Sequence, residues 1–268
     1  LYLMAFDEFE AQEDRSYYIE VRLENGEVYR SEPEKMRVTQ PLEEVEYELT
    51  TKLQANDIAG EVVFEEQEGL VLYAILPETD QQDLYYYRYK ITPSWVYVAP
   101  LPSNNSPVKT CYVTNVYYFQ KIVTQLDASG GYPLDLFFLE TKGNLRLLDD
   151  FSAYVTQYSM TPESYEFWNQ LALQQESGGN IFDPPPFELT SNLYNINNPS
   201  EKISGYFSVV HESSVRWFIN DSELPYQVDL GIERCASFPV TDDCVTCLKY
   251  RGGSSDITTE RPTWWREY

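Results

Sequence analysis

Four cysteines and one histidine are the side chains best equipped for chemistry in this 268-residue chain. Cys244 and Cys247 form a C-x-x-C pair, Cys235 lies nine residues before Cys244, and Cys111 stands alone far upstream. Four thiolates satisfy a tetrahedral zinc, but a zinc ribbon draws its ligands from two close pairs. With one close pair present, two disulfides are the favoured reading, in any of three connectivities, and a Cys₄ zinc site is the alternative. Thioredoxin-like redox chemistry needs a βαβ setting, which the sequence around Cys244 lacks. His211 is the sole imidazole, so zinc catalysis by two or more histidines is excluded, and any Ser-His-Asp or Cys-His relay must run through it. It sits between a β-like run and Ser213-Ser214, where a surface histidine is the ordinary reading. The sequence contains no G-x-S-x-G elbow, H-E-x-x-H, P-loop or G-x-G-x-x-G. No catalytic residue, metal or cofactor is therefore expected. The 43 acids leave paired carboxylates for glycoside hydrolysis open, because separation in space decides that chemistry. Asp149-Asp150 read as turn residues, and Asp242-Asp243 lack an EF-hand frame.

The charge balance narrows the partners. With 19 basic and 43 acidic residues the formal charge is −24, a field that repels nucleic-acid phosphates and anionic lipid surfaces. Twenty-three tyrosines suit half-buried strands and wet interfaces. No apolar run is long enough for a spanning helix. The opening residues, LYLMAFDEFEAQ, read as the middle of a strand, so further sequence is expected upstream of Leu1.

The elements that must position these groups are mostly strands. Asn25-Gly26, between SYYIEVRL and VYRS, is the strongest hairpin signal. Pro33 to Pro41 reads as a linker. EVVFEE and LVLYAIL read as strands separated by Gly69. LYYYRYKI alternates, with Tyr85, Tyr87 and Tyr89 on one face and Tyr86, Arg88 and Lys90 on the other. Pro93, Pro100, Pro102 and Pro107 surround a loop. One helix is expected near 162–177: Thr161 caps it, Pro162 and Glu163 open it, and Tyr165, Trp168 and Leu171 share a face that should dock on the β core. Pro184 to Pro186 force an extended segment. KISGYFSVVHESSVRWFI resumes strand character.

The block from AYVTQYSM through the helix and FDPPP to SGYFSV resembles a family of surface lipoproteins of Bacteroidota, domain of unknown function 4249. Its motif falls on Trp168, Phe182, Asp183, Pro184, Pro186, Asn192, Gly205, Tyr206 and Phe207. The earlier YYIEVRLENGEVYRSEPEKM, the YYYRY run, the Cys of TCY, the late C-x-x-C and the terminal tryptophans also match, so the resemblance covers nearly the whole chain. It implies a mainly β fold: the remnant of an immunoglobulin-like β-sandwich over residues 1–40, then a larger β-sandwich over 41–268 with one inserted helix and a cysteine-containing tail. It also implies a lipidated cysteine upstream and a place at the cell surface on the outer membrane. The partner would be an outer-membrane β-barrel protein, most naturally a TonB-dependent transporter, for which the chain is a non-enzymatic binding or lid subunit. The alternatives are an accessory subunit of a secretion or assembly barrel, and a glycan-active enzyme with paired carboxylates.

Overall fold

The computed structural model describes residues 9–58, 61–75, 85–101, 108–115, 123–127, 133–176, 189–225, 235–236, 239–252 and 256–266. Short strands open it: β1 (Ser16–Tyr17), β2 (Glu20–Arg22), β3 (Val28–Ser31) and β4 (Glu34–Lys35). Three long ones follow: β5 (Glu44–Ile58), β6 (Glu61–Ile75) and β7 (Tyr85–Val98). Next come β8 (Thr110–Thr114), β9 (Val123–Asp127), β10 (Pro133–Glu140) and β11 (Phe151–Met160). Helix α1 (Pro162–Glu176) precedes β12 (Leu193–Asn195), β13 (Glu212–Ile219) and β14 (Asp256–Thr258). The fold is mainly β, as the alternating runs require.

Two antiparallel sheets share one core. One has the order β10-β6-β5. The other has the order β13-β11-β7-β8-β14, with β9 also on β7. Leu70, Leu72 and Ala74 of the first meet Tyr87, Tyr89, Ile91, Trp95, Phe151 and Val155 of the second, all of them buried. The two faces expected of LYYYRYKI form, and the structure adds that Tyr87 and Tyr89 are on the buried one while Tyr86, Arg88 and Lys90 are on the other.

Pro93 lies inside β7 and does not end it. The strand pairs with β9 through Tyr85–Tyr89 and with β8 through Ser94–Val98. Pro93 falls at the junction, and its carbonyl accepts Asn115 N–H on that side. The missing proline N–H therefore faces the gap between β9 and β8 and costs no bond to β11.

Gly69 does not divide two strands either, because β6 runs through it. A Cβ at Gly69 would sit 2.1 Å from Cζ of Phe138, so glycine is needed there for Phe138 to close over the sheet.

The hairpin at Asn25-Gly26 forms. Leu23 and Glu27 close it, Gly26 N–H bonds Leu23 O at 3.0 Å, and Gly26 has φ +88°. β12 pairs with β3, so a strand from residues 193–195 completes the N-terminal sheet β12-β3-β2. The stretch from Pro33 to Pro41 is tied to the main sheet. Ser159 Oγ donates to Arg37 O at 2.6 Å, Gln157 Nε2 donates to Gln40 O at 2.8 Å, and Leu42 N–H beyond it meets Ser213 Oγ at 2.8 Å.

Candidate partner-binding surface

The expected functional residues fall into three structural roles. The cysteines form two disulfides, Cys111–Cys247 and Cys235–Cys244, which leave no free thiol. The zinc reading is thereby overturned, since no thiolate remains to ligate. Cys111 lies on β8 and Cys247 just before Tyr250, whose ring stacks on Tyr97 with centroids 4.0 Å apart. The first bridge therefore pins the C-terminal tail across one end of the core.

The family motif builds a junction. Asn192 brackets the backbone of Phe207, donating from Nδ2 to its carbonyl at 2.8 Å and accepting its N–H at 2.9 Å. Ser191 Oγ donates to Gly205 O at 2.8 Å. Gly205 has φ +138°, and a Cβ there would crowd Leu193 at 3.2 Å. These side-chain bonds replace a ladder, so GYF is not a strand and β13 begins only at Glu212. Tyr206 packs on Phe167 of α1 at 5.2 Å and donates to Glu34 at 3.2 Å. Glu34 also accepts from Thr161, whose hydroxyl receives Ser164 N–H at the helix start. Burial raises the Glu34 carboxyl above its usual range, and the two hydroxyls only partly offset this. Phe182, Asp183, Pro184 and Pro186 lie outside the described residues.

Helix α1 docks with Ser164 and Phe167 innermost. Tyr165 meets Tyr86 at 5.1 Å, while Trp168 and Leu171 are only half-buried. The buried aromatic of this helix is thus Phe167, one residue from the expected Trp168.

No catalytic constellation is assembled among the described residues. The imidazole of His211 makes no hydrogen bond or ion pair there, and no three metal-ligating side chains gather. Asp149-Asp150 do bend the chain before β11, but Asp150 is a buried anchor. It accepts from Trp265 Nε1 at 3.1 Å, Asn220 Nδ2 at 3.1 Å and Arg266 Nη2 at 2.8 Å. Its neighbour Asp149 is raised above the usual carboxylate range by burial. A cleft of about 440 Å³ collects Glu65, Glu66, Glu68 and Glu140 beside Lys142.

The distinctive surface is a β-ribbon that sequence reading did not anticipate. β10 covers β6 only from Gly69 to Ile75, whereas β5 and β6 stay paired out to Ile58 and Glu61. Eight residue pairs therefore project beyond the body, ~26 Å of two-stranded sheet. One face of this ribbon continues the core-facing side of the sheet. Val45, Leu70 and Leu72 are buried in the body, and the same face farther out carries Leu53, Phe64 and Val62 at 64%, 63% and 64% exposure. On that face exposed Glu66 lies directly opposite Leu53, and the Thr51–Glu68 row separates the patch from Leu49 and Leu70. The patch is an apolar island rimmed by acid, the composition of a contact surface. The signal for the ribbon was present in the sequence. Val62, Phe64, Leu70, Leu72 and Ala74 share one parity across Gly69, which demands a single strand.

No helix among the described residues is long and apolar enough to cross a membrane. No curated protein and no solved structure matches the chain. A family model described as a domain of unknown function (DUF4249) matches residues 2–216. That span ends within β13, so the late C-x-x-C and Trp264-Trp265 lie beyond it, and the match is shorter than the near-complete resemblance expected. It contains every residue of the Asn192–Phe207 junction, and the chain belongs to the DUF4249 family.

Proposed function

We propose that this protein is a non-enzymatic, lipid-anchored subunit on the outer-membrane surface. It binds or lids an outer-membrane β-barrel, a TonB-dependent transporter, and the β5–β6 ribbon is its contact element. The supporting observation is the exposed Leu53–Phe64–Val62 island on an element that adds nothing to the body's own core. Covering a fully exposed side chain of these types contributes ~1.5–3 kcal/mol, so three at about two-thirds exposure offer ~3–6 kcal/mol before association entropy is subtracted. A ribbon face ~26 Å long and ~10 Å wide falls short of the ~800 Å² each partner contributes to a standard interface. The partner must therefore wrap both ribbon faces or also touch the acidic cleft at its base.

The test is native extraction of the full-length protein with mass spectrometry of co-purifying chains, alongside Leu53→Asp and Phe64→Asp variants. A barrel protein should co-purify with the wild type and be lost from both variants while the fold survives. A palmitate analogue should label the full-length protein. An unlabelled free monomer that hydrolyses a glycan or peptide, with activity lost on changing one carboxylate pair, would replace this reading with an enzymatic one.

A further inference from the structure

In a chain of net charge −24, the outer face of the six-stranded sheet gathers three cations, Arg216, Lys90 and Arg88, across β13, β11 and β7, with Glu212 at one corner and exposed Asp256 on the far β14 edge. Its register rows, read across β13, β11 and β7, are Arg216–Tyr154–Thr92, Ser214–Thr156–Lys90 and Glu212–Tyr158–Arg88. The guanidinium of Arg216 lies 4.6 Å from the Tyr154 ring centroid and 3.6 Å from that of Trp264. That of Arg88 lies 4.4 Å from Tyr158 and 4.0 Å from Trp168. Neither arginine nor Lys90 meets a carboxylate among the described residues; Arg216 donates only to Ser152 Oγ at 3.3 Å. Burial lowers both arginines from their usual range, so uncompensated positive charge is being held at a cost. Ring stacking uses the faces of a guanidinium and leaves its N–H edges for an oxygen acceptor.

Spacing narrows the ligand. The two stacked guanidinium groups lie over Tyr154 and Tyr158, and the exposed Lys90 belongs to the row between them. Successive rows are two residues apart, so the cations follow β11 at intervals of ~6.6 Å. An extended polypeptide presents alternate side chains at the same interval. We propose that this face binds an extended acidic polypeptide whose carboxylates, two residues apart, meet Arg216, Lys90 and Arg88. Glu212, beside Tyr158, disfavours a ligand displaced toward β13 and sets its position over β11 and β7. The sequence of the ligand beyond this alternation is left free, and the site is independent of the ribbon contact.

The experiment uses the intact chain and three peptides. One alternates Glu and Thr, one has the same composition with its Glu residues contiguous, and one alternates Lys and Thr. Isothermal titration should show the alternating Glu peptide binding, the contiguous isomer binding several-fold more weakly, and the Lys peptide not binding. Lys90→Glu, at an exposed position that carries no core contact, should weaken binding about tenfold with the urea midpoint unchanged. Equal affinity for the two Glu isomers would overturn the proposal, as would insensitivity to Lys90→Glu. Tighter binding of an oligogalacturonate than of the peptide would overturn it in favour of an acidic glycan. No binding at all would reduce the stacked arginines to fasteners for α1 and the tail.

Discussion

Removing the two disulfides separately should destabilise the protein by different amounts, and the ordering follows from loop length. Cys111–Cys247 closes a separation of 136 residues and Cys235–Cys244 one of nine. Loop-closure entropy assigns ~5 kcal/mol to the long loop and ~2.6 kcal/mol to the short one at 25 °C. All four cysteines are at most 1% exposed, so replacing either pair by alanine removes similar packing. That local loss largely cancels between the two double variants and leaves a difference of ~2.4 kcal/mol from the chain term. The assay is urea unfolding of C111A/C247A and C235A/C244A against the wild type. Stabilities should be compared after extrapolation to water, because a missing cross-link expands the unfolded chain and raises the slope. C111A/C247A should be the weaker variant. It should also release the tail that stacks Tyr250 on Tyr97, visible as a loss of near-ultraviolet ellipticity. Equal losses, or a larger loss from the short loop, would refute the entropic account and leave local packing as the source of stability.

Phe167→Ala should cost ~3–5 kcal/mol in the same assay, because it empties a buried aromatic site. Trp168→Ala should cost less, ~1–2 kcal/mol, as a half-buried ring that also loses its contact with Arg88. Asp150→Ala should cost ~3–5 kcal/mol, since it removes the buried carboxylate on which Trp265 Nε1, Asn220 Nδ2 and Arg266 Nη2 converge. Arg266→Ala should cost less, because that guanidinium is partly solvated and shares its charge with Glu223. Glu34 binds its proton more tightly when folded than unfolded, so it favours folding most at low pH. That contribution is lost as pH rises from the unfolded carboxyl value through the raised folded one. Stability of the wild type should therefore fall across this window relative to Glu34→Gln, measured as urea midpoints from pH 4 upward.

Local patterning was readable where the chain's own period decides the structure. The alternation in LYYYRYKI separated Tyr87 and Tyr89 from Tyr86, Arg88 and Lys90 without saying which face is buried, and Thr161-Pro162-Glu163 located the helix start. What sequence reading missed depends on partners far along the chain. The disulfide connectivity joins residues 136 apart, and nothing local selects Cys247 over Cys235 for Cys111. The helix face was misjudged by one residue because Phe167 is chosen by Tyr206, 39 positions downstream. Pro93 reads as a breaker unless the exchange of β9 for β8 beside it is known. The GYF segment has strand composition but finds Asn192 and Ser191 side chains where a ladder would lie. The ribbon is the opposite case, since its parity was legible and the exposed position of its outer half was not. An alternating strand reads the same whether or not another sheet covers it.

The two proposed surfaces are carried by different sheets, and this governs how they can act together. The ribbon extends the β10-β6-β5 sheet, whereas the arginine rows lie on the outer side of the other sheet, with the core between them. A barrel that grips the ribbon therefore need not cover Arg88, Lys90 and Arg216. Their chemistry also differs. The ribbon patch is apolar with a glutamate rim, and the sheet face holds positive charge on aromatic rings. With net charge −24, most of the surface repels acidic chains, and at physiological ionic strength that repulsion fades over ~8 Å. An acidic segment would then gain only at close range on the sheet face, where the local charge reverses, and would find no equivalent foothold on the ribbon. The two proposals predict that peptide binding on one sheet and barrel association through the other can be separated by mutation. Loss of peptide binding in Lys90→Glu with barrel association intact, and the reverse in Phe64→Asp, is the pattern that two independent surfaces require.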